Sequence, residues 1–396
     1  MRRFLIDGRI IDGESNAIQS FLSRSYEQEA RPHCLCREPP IPMYIARVEG
    51  NYIVKRMPLS GRAHDPSCPS YDPPYELSGL GPLVGGAIRI GANGRASLKL
   101  DFPITKRGSR KTPSRPIEPA EAPIRNEAKK LSLRAVLHYL WEVGELTEWR
   151  SSWAGKRGWG RVRASLLGAA AQMTVQGKQL SELLFVPEVF HPDDKAGIAT
   201  RRTATLAAAQ ASRTGPRRLM ITIAEVKEFK PGRDSQRATL RHLPFPLIIE
   251  EAAWQRLNAR FKPELELWRS SEDDHLILIA TFGISACGVA TVEELAVMVV
   301  NENWIPFESA HEQLLLKRLS GLRRKSIKGL RFNLTRDRPI VSVTLPDLRP
   351  APVAMFIVPA AADENYERIV AEMTSARPEI ASWVWRVADG HMPRLP

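Results

Sequence analysis

Residues 105–127 (TKRGSRKTPSRPIEPAEAPIRNE) combine proline, serine and charge with almost no large apolar side chain. Such a tract buries too little surface to offset the entropy of ordering it, so it reads as a linker. A chain of 396 residues exceeds what one core usually supports. The expected organisation is therefore α+β and multidomain. It comprises a small β-rich unit over 1–104, the linker 105–127, a helical, winged-helix-like basic region over 128–215, a mixed α/β region over 216–300, and a C-terminal α/β domain over 301–396. With 43% hydrophobic and 26% charged residues, neither a wholly disordered nor a membrane-embedded chain fits. The longest uncharged run, Leu276 to Val292, is broken by Thr281, Gly283, Ser285 and Gly288, and falls short of the roughly 20 apolar residues that span a bilayer. Asp7, Arg9 and Asp12 interrupt the N-terminal apolar stretch before it reaches signal-peptide length. A cytoplasmic protein without membrane contact is expected.

Alternation predicts a hairpin from Tyr44 to Val48 and Tyr52 to Lys55 around Gly50-Asn51. Helical spacing marks Leu131 to Val143 and Val162 to Val175, joined by a basic connection containing Trp149, Trp153 and Trp159. A strand over Leu219 to Phe229, a helix from Glu250 to Phe261 and a strand over Leu276 to Ile284 follow. Thr291 with Glu294 forms a T-x-x-E capping box, which predicts a helix start there. The last region reads as helix (Ala310 to Leu322), three strands (Ile327 to Asn333, Val341 to Leu345, Val353 to Val358), helix (Tyr366 to Met373) and strand (Ser382 to Val387).

Lys plus Arg number 57 against 44 Asp plus Glu, a net charge of +13. Residues 317–338 hold nine bases and one acid, Asp337. Two stretches, 149–163 and 195–218, contain no acid. Nucleic acid is the commonest polyanion that such surfaces meet, and DNA is the expected partner. The predicted contacts are Arg323, Arg324, Lys325, Lys328 and Arg331, with Arg157 and Arg161 from the Trp-rich connection. The tryptophans there either stack on bases or belong to the core.

Four cysteines in so long a chain do not make a disulfide framework. Cys34-Leu-Cys36 and His64-Asp-Pro-Ser-Cys68 instead supply two close donor pairs bracketing the hairpin, as a tetrahedral Zn2+ ion requires. The expected ligands are Cys34, Cys36, His64 and Cys68, with His33 as a substitute donor. Four protein ligands leave no place for water, so the role is structural.

These residues, with Met43-Tyr44-Ile45-Ala46, Tyr52-x-Val54-Lys55-Arg56-Met57-Pro58 and Glu76-Leu-Ser-Gly-Leu80-Gly81, resemble the opening of the bacterial family called domain of unknown function eleven seventy-three. Glu225-Val-Lys-Glu-Phe229, Trp304-Ile-Pro-Phe-Glu-Ser309 and Leu345-Pro-Asp347 extend the resemblance over nearly the whole chain. It implies a plasmid or integrative-element context, with protein partners from a mobile-element complex, and implies no activity.

The C-terminal order, residues 301–396, also resembles the restriction-endonuclease-like fold of the PD-(D/E)xK nucleases, in which carboxylates gather Mg2+ and a lysine stabilises negative charge. The matching residues are Glu312 on the helix and Asp347 after Pro346, with Lys328 from the preceding strand; Val353 to Val358 lacks the acid-x-Lys pair. Glu312 equally completes a Ser309 capping box, and both readings stay open. A second acid-x-Lys pair, Glu225 and Lys227, with Asp193 upstream, is the alternative catalytic set. The sequence thus favours a zinc-stabilised nucleic-acid-binding accessory protein without catalysis. A nuclease using Mg2+, or an adaptor in a DNA transfer or partition complex, are the alternatives.

Overall fold

A helix that is apolar on every side needs neighbours on every side. Leu133–Val143 is such a helix: all of it is buried except Arg134 and Glu142, and Tyr139 and Trp141 are completely covered. Ser132 caps it, its hydroxyl accepting from the Ala135 amide at 3.2 Å. In the computed structural model, which describes residues 3–13, 18–48, 50–91, 94–106, 129–210 and 217–396, this helix packs against the long strands of the largest sheet and the helix Trp159–Ala170. The described residues form a mixed α+β fold of eight α-helices and five sheets.

The expected hairpin is present as Ile41–Val48 and Asn51–Arg56, paired from Met43↔Arg56 to Val48↔Asn51. It lies at one side of a five-stranded sheet that continues through His33–Cys34 and Arg3–Ile6 to Arg9–Asp12. Beneath it is a small core in which Phe4, Ile6, Leu22 and Met43 meet the side chains of Cys34 and Cys68.

The largest sheet contains the expected strands, as Met220–Pro231 and His275–Ile284, but the predicted helix at Thr291 does not form. Ala290–Val300 is instead a strand that pairs antiparallel with His275–Ile284 over its whole length. Locally, Thr291-x-x-Glu294 is a sound capping box; ten cross-strand pairs and a β-branched, apolar sequence outweigh it. Thr281 sits at a register shift and its hydroxyl accepts from the Glu294 amide at 3.1 Å, the bond that a helix cap would have used. Pairings run from Met220–Pro231 through Ser235–Leu240, Leu247–Glu250, Ala290–Val300 and His275–Ile284, and back to Met220–Pro231. The helix Glu251–Arg269, longer than expected and interrupted at Phe261 two residues before Pro263, packs on this closed circuit. The second predicted helix of the basic region is shorter, Trp159–Ala170, and its last residues form the strand Met173–Val175.

The C-terminal sheet has the order Ala381–Arg386, Val353–Val358, Val343–Leu345, Ser326–Lys328, Glu148–Trp149. The first pair is parallel and the others antiparallel. The helices Ala310–Gly321 and Glu364–Ser375 complete the expected order, while the first of its strands stops at Lys328 rather than Asn333.

Sheets cross the boundaries expected from the sequence. Ala96–Leu98 pairs in parallel with Met173–Val175, Thr105–Lys106 pairs with Arg217–Arg218, and Glu148–Trp149 joins the C-terminal sheet. Strands of two or three residues cannot stand alone, and one core accordingly runs from Leu80 to Trp385. Gly79 shows how closely the parts are stitched: its amide donates to the Leu330 carbonyl at 2.8 Å, and a Cβ there would lie 1.9 Å from the Arg331 oxygen. Only glycine permits that approach. Of the linker tract, residues 107–127 lie outside the described residues. Among those described, no helix is long and apolar enough to cross a membrane.

Candidate metal centre

Strand pairing fixes the first ligand. Cys34 lies opposite both Phe4 and Ile41, which holds its sulfur under the N-terminal sheet. Cys36 follows in the next loop, and His64 ends the short helical turn Gly61–Ala63. Asp65 then closes a tight turn, accepting from the Ser67 amide at 2.8 Å and hydroxyl at 2.5 Å, while the Cys68 amide donates to the Asp65 carbonyl at 2.8 Å. This turn presents Cys68 to the others.

The four donor atoms all lie within 4.8 Å of one another. Cys34 Sγ is 3.8 Å from Cys68 Sγ, and His64 Nδ1 lies 3.3 Å from Cys36 Sγ and 3.7 Å from Cys68 Sγ. A tetrahedral zinc with ordinary bond lengths needs S···S edges of about 3.8 Å and S···N edges of about 3.6 Å. The donor set therefore fits a metal ion such as zinc. Cys34, His64 and Cys68 are buried and Cys36 is half-buried. The Cys34 thiol's hydrogen bond, then those of His64 and the Ser70 amide, hold the Cys68 thiol down at about 3. The same bond, with burial, drives Cys34 up, so the site readily presents a thiolate.

The Cys68 turn is anchored to the rest of the molecule by charge. Arg150 donates to the Pro69 carbonyl at 2.7 Å and to Glu148 at 2.8 Å, and Glu148 also pairs with Arg56 at 2.8 Å. Arg56 reaches Asp72 as well. Burial alone would raise the Glu148 carboxyl, but Arg56 and Arg150 reverse this and hold it at about 2.

The structure brings two residues of the first catalytic set together. Glu312 and Lys328 meet in a buried ion pair at 3.0 Å. Glu312 also serves its helix: its amide donates to the Ser309 hydroxyl at 3.2 Å, and its other oxygen accepts from the Glu308 amide at 2.8 Å. Lys328 donates in addition to the Gly329 carbonyl at 2.6 Å. Asp347 is exposed in the turn after Val343–Leu345. Among the described residues, the Cys/His cluster is the one group of three or more potential donors close enough to share a metal.

In the second set, a register shift between Val226 and Glu228 breaks the strand's alternation. Glu225 is buried while Lys227 and Asp193 are exposed. Glu225 Oε1 instead meets Arg241 Nε at 2.8 Å and His275 Nδ1 at 2.8 Å. His275 stacks on Trp304 with centroids 4.2 Å apart. Neither Arg241 nor His275 was expected at a site, and no local pattern marks them, since the strand pairing alone brings them to Glu225.

The predicted nucleic-acid contacts separate into exposed and internal groups. Lys328 and Arg331 are buried, the latter paired with Glu308 and donating to the Thr335 and Arg338 carbonyls. Lys325 is half-buried, and Arg324 donates to the Pro396 carbonyl at 3.4 Å. Arg323 is exposed. Arg157 is half-buried, donating to the carbonyls of Leu146, Glu148 and Asn303, whereas Arg161 is exposed. Trp149 and Trp159 are core residues; Trp153 is half-buried against the guanidinium groups of Arg150 and Arg157.

No curated protein matches the chain. The family model described as a protein of unknown function (DUF1173) matches residues 4–388, nearly the whole length, and the chain belongs to that family.

Proposed function

We propose that the chain is a zinc-stabilised nucleic-acid-binding accessory protein, with DNA as the expected polymer, and that it does not hydrolyse what it binds. The observation that carries the zinc reading is the donor set, three sulfurs and one imidazole nitrogen at tetrahedral edge lengths. Four protein ligands leave no position for a water nucleophile, so the metal would tie the Cys68 turn to a sheet whose own core is small. The net charge of +13 supports a polyanionic partner.

The helix, three antiparallel strands, helix and parallel strand of the C-terminal part support a nuclease-like scaffold. Its chemistry is unsupported. Glu312 and Lys328 satisfy each other, and Val353–Val358 offers no acid or lysine. A Mg2+ ion there would have no fixed set of carboxylates. The family resemblance supports a plasmid or integrative-element setting, with protein partners from the same complex.

The test combines elemental analysis with incubation on plasmid and single-stranded DNA, with and without Mg2+ or Mn2+, across salt concentrations. Expected are one zinc per chain, a salt-dependent shift and no cleavage. Cys34→Ser or Cys68→Ser should abolish zinc retention and expose the N-terminal sheet to proteolysis before the remainder of the chain. Cleavage lost in Asp347→Ala would establish the nuclease alternative, and cleavage lost in Glu225→Ala would move the active site to the central sheet. Zinc well below one per chain in fresh protein would end the metal reading.

A further inference from the structure

A cleft of about 420 Å3 opens between the Trp-rich connection and the N-terminal hairpin. Its lining carries four cations, Lys55, Lys156, Arg157 and Arg161, against one carboxylate, Glu145. Two of these cations are framework. Arg157 is fixed by three carbonyls, and Lys55, almost fully buried, donates to the Gly144 carbonyl at 3.2 Å with Glu145 3.9 Å away. The other two, Lys156 and Arg161, are exposed and have no ion-pair partner among the described residues. Burial and the neighbouring Arg161 and Arg56 charges push the Lys55 ammonium down, so the cations are gathered at an electrostatic cost.

The cleft also borders the first turn of Trp159–Ala170. Gly158 is its N-cap and supplies no side-chain hydrogen bond, which leaves the opening amides of the helix directed outward. Neither conformation nor packing demands glycine here: its φ is −132°, and a Cβ would meet nothing within 4 Å. Its effect is to keep the backbone accessible beside Lys156 and Arg161, as close approach of a phosphate requires.

We propose that this cleft is a seat for the phosphate group of a nucleotide, with Lys156 and Arg161 contacting the anion and Lys55 and Arg157 supplying the fixed positive wall. The chemistry is the same for a strand phosphodiester and for a free nucleotide. The strand source rests on the nucleic-acid reading above; the seat itself does not.

Titration calorimetry on the full chain, at low salt, would use inorganic phosphate, a nucleoside monophosphate and a short single-stranded oligodeoxynucleotide as separate probes. Wild type should bind at least one organic probe, and Lys156→Glu with Arg161→Glu should weaken that binding by about tenfold or more. Gly158→Asp is the sharper variant. An aspartate is a better N-cap than glycine, so the thermal midpoint should hold or rise while binding falls, because the carboxylate occupies the anion's place. Strand binding left unchanged by both variants would overturn the seat and leave the nucleic-acid reading standing. Nucleotide binding that both variants abolish, with no strand binding by wild type, would support the seat and overturn that reading. Binding of no probe would overturn both.

Discussion

Residues 317–338 form the most basic segment of the chain, but much of that charge is paired, whereas the cleft beside Trp153 gathers its cations about a single opening. In the C-terminal segment, Lys328 lies against Glu312, Arg331 against Glu308 and Arg336 against Glu264. In the cleft, fewer cations face one carboxylate, and two of them are exposed. Charge density along a sequence therefore measures what a fold has available, and the pairing decides how much of it reaches a ligand. Lys328 in the basic block holds the C-terminal sheet to its helix while Lys317, Arg318 and Arg323 stay exposed; the cleft gathers its charge at one opening.

The strongest way to break this comparison is Lys328→Met. Removing one partner of a buried pair leaves the other charge uncompensated, which costs about 3–5 kcal/mol. The expected outcome in denaturant titration is a loss of that order for Lys328→Met, with most of it recovered when Glu312→Leu is added. DNA affinity of the folded variant should be unchanged. A loss of affinity with stability intact would make Lys328 a contact and return the basic block to the binding surface.

A smaller effect comes from His138, in the central helix. Its Nδ1 accepts from the Phe332 amide at 3.0 Å, so the imidazole is neutral in the fold. Burial, reinforced by Arg134, depresses it to about 3. A depressed folded value makes the contribution complete above the unfolded value near 6.5; it is lost as pH falls from there towards 3. Stability should decline over that window with a slope of up to about 1.4 kcal/mol per pH unit from this group. His138→Gln, which keeps an acceptor and does not titrate, should be less stable at neutral pH and show a shallower decline. An unchanged slope would mean that other groups govern acid sensitivity.

The same contrast explains what the sequence disclosed. The candidate metal donors were legible because cysteine and histidine at short spacing are themselves the signal, and turns such as Asp65 to Cys68 are built locally. Strands and helices with long apolar patterns were legible too, as Met220–Pro231 and Ala310–Gly321 show. Long-range pairing was not. It turned Thr291 and Glu294 from a helix cap into part of a hairpin, and placed a register shift between Val226 and Glu228, inside the Glu225-Val-Lys227 pattern. It also supplied Glu308 and Glu312 as partners for cations that looked free. Composition gave the linker tract the appearance of a boundary, whereas strands too short to stand alone pair across it.

The smallest expected effect is at Arg323, the exposed member of the predicted contacts in the basic block. An exposed guanidinium that touches a phosphate contributes one increment to the salt slope, and one that merely adds to the field contributes less. Arg323 has a positive φ of 56° just beyond the helix Ala310–Gly321, and its amide donates to the Ser320 carbonyl. Its backbone thus serves the helix end whatever its side chain does. Arg323→Glu should leave folding stability within about 0.5 kcal/mol and lower DNA affinity by about twofold or less, against about tenfold for the cleft variants. Affinity measured at several salt concentrations decides the matter. A slope reduced by about one full increment in Arg323→Glu, with none in the cleft variants, would reverse the assignment and make the helix end, not the cleft, the place where phosphate is held.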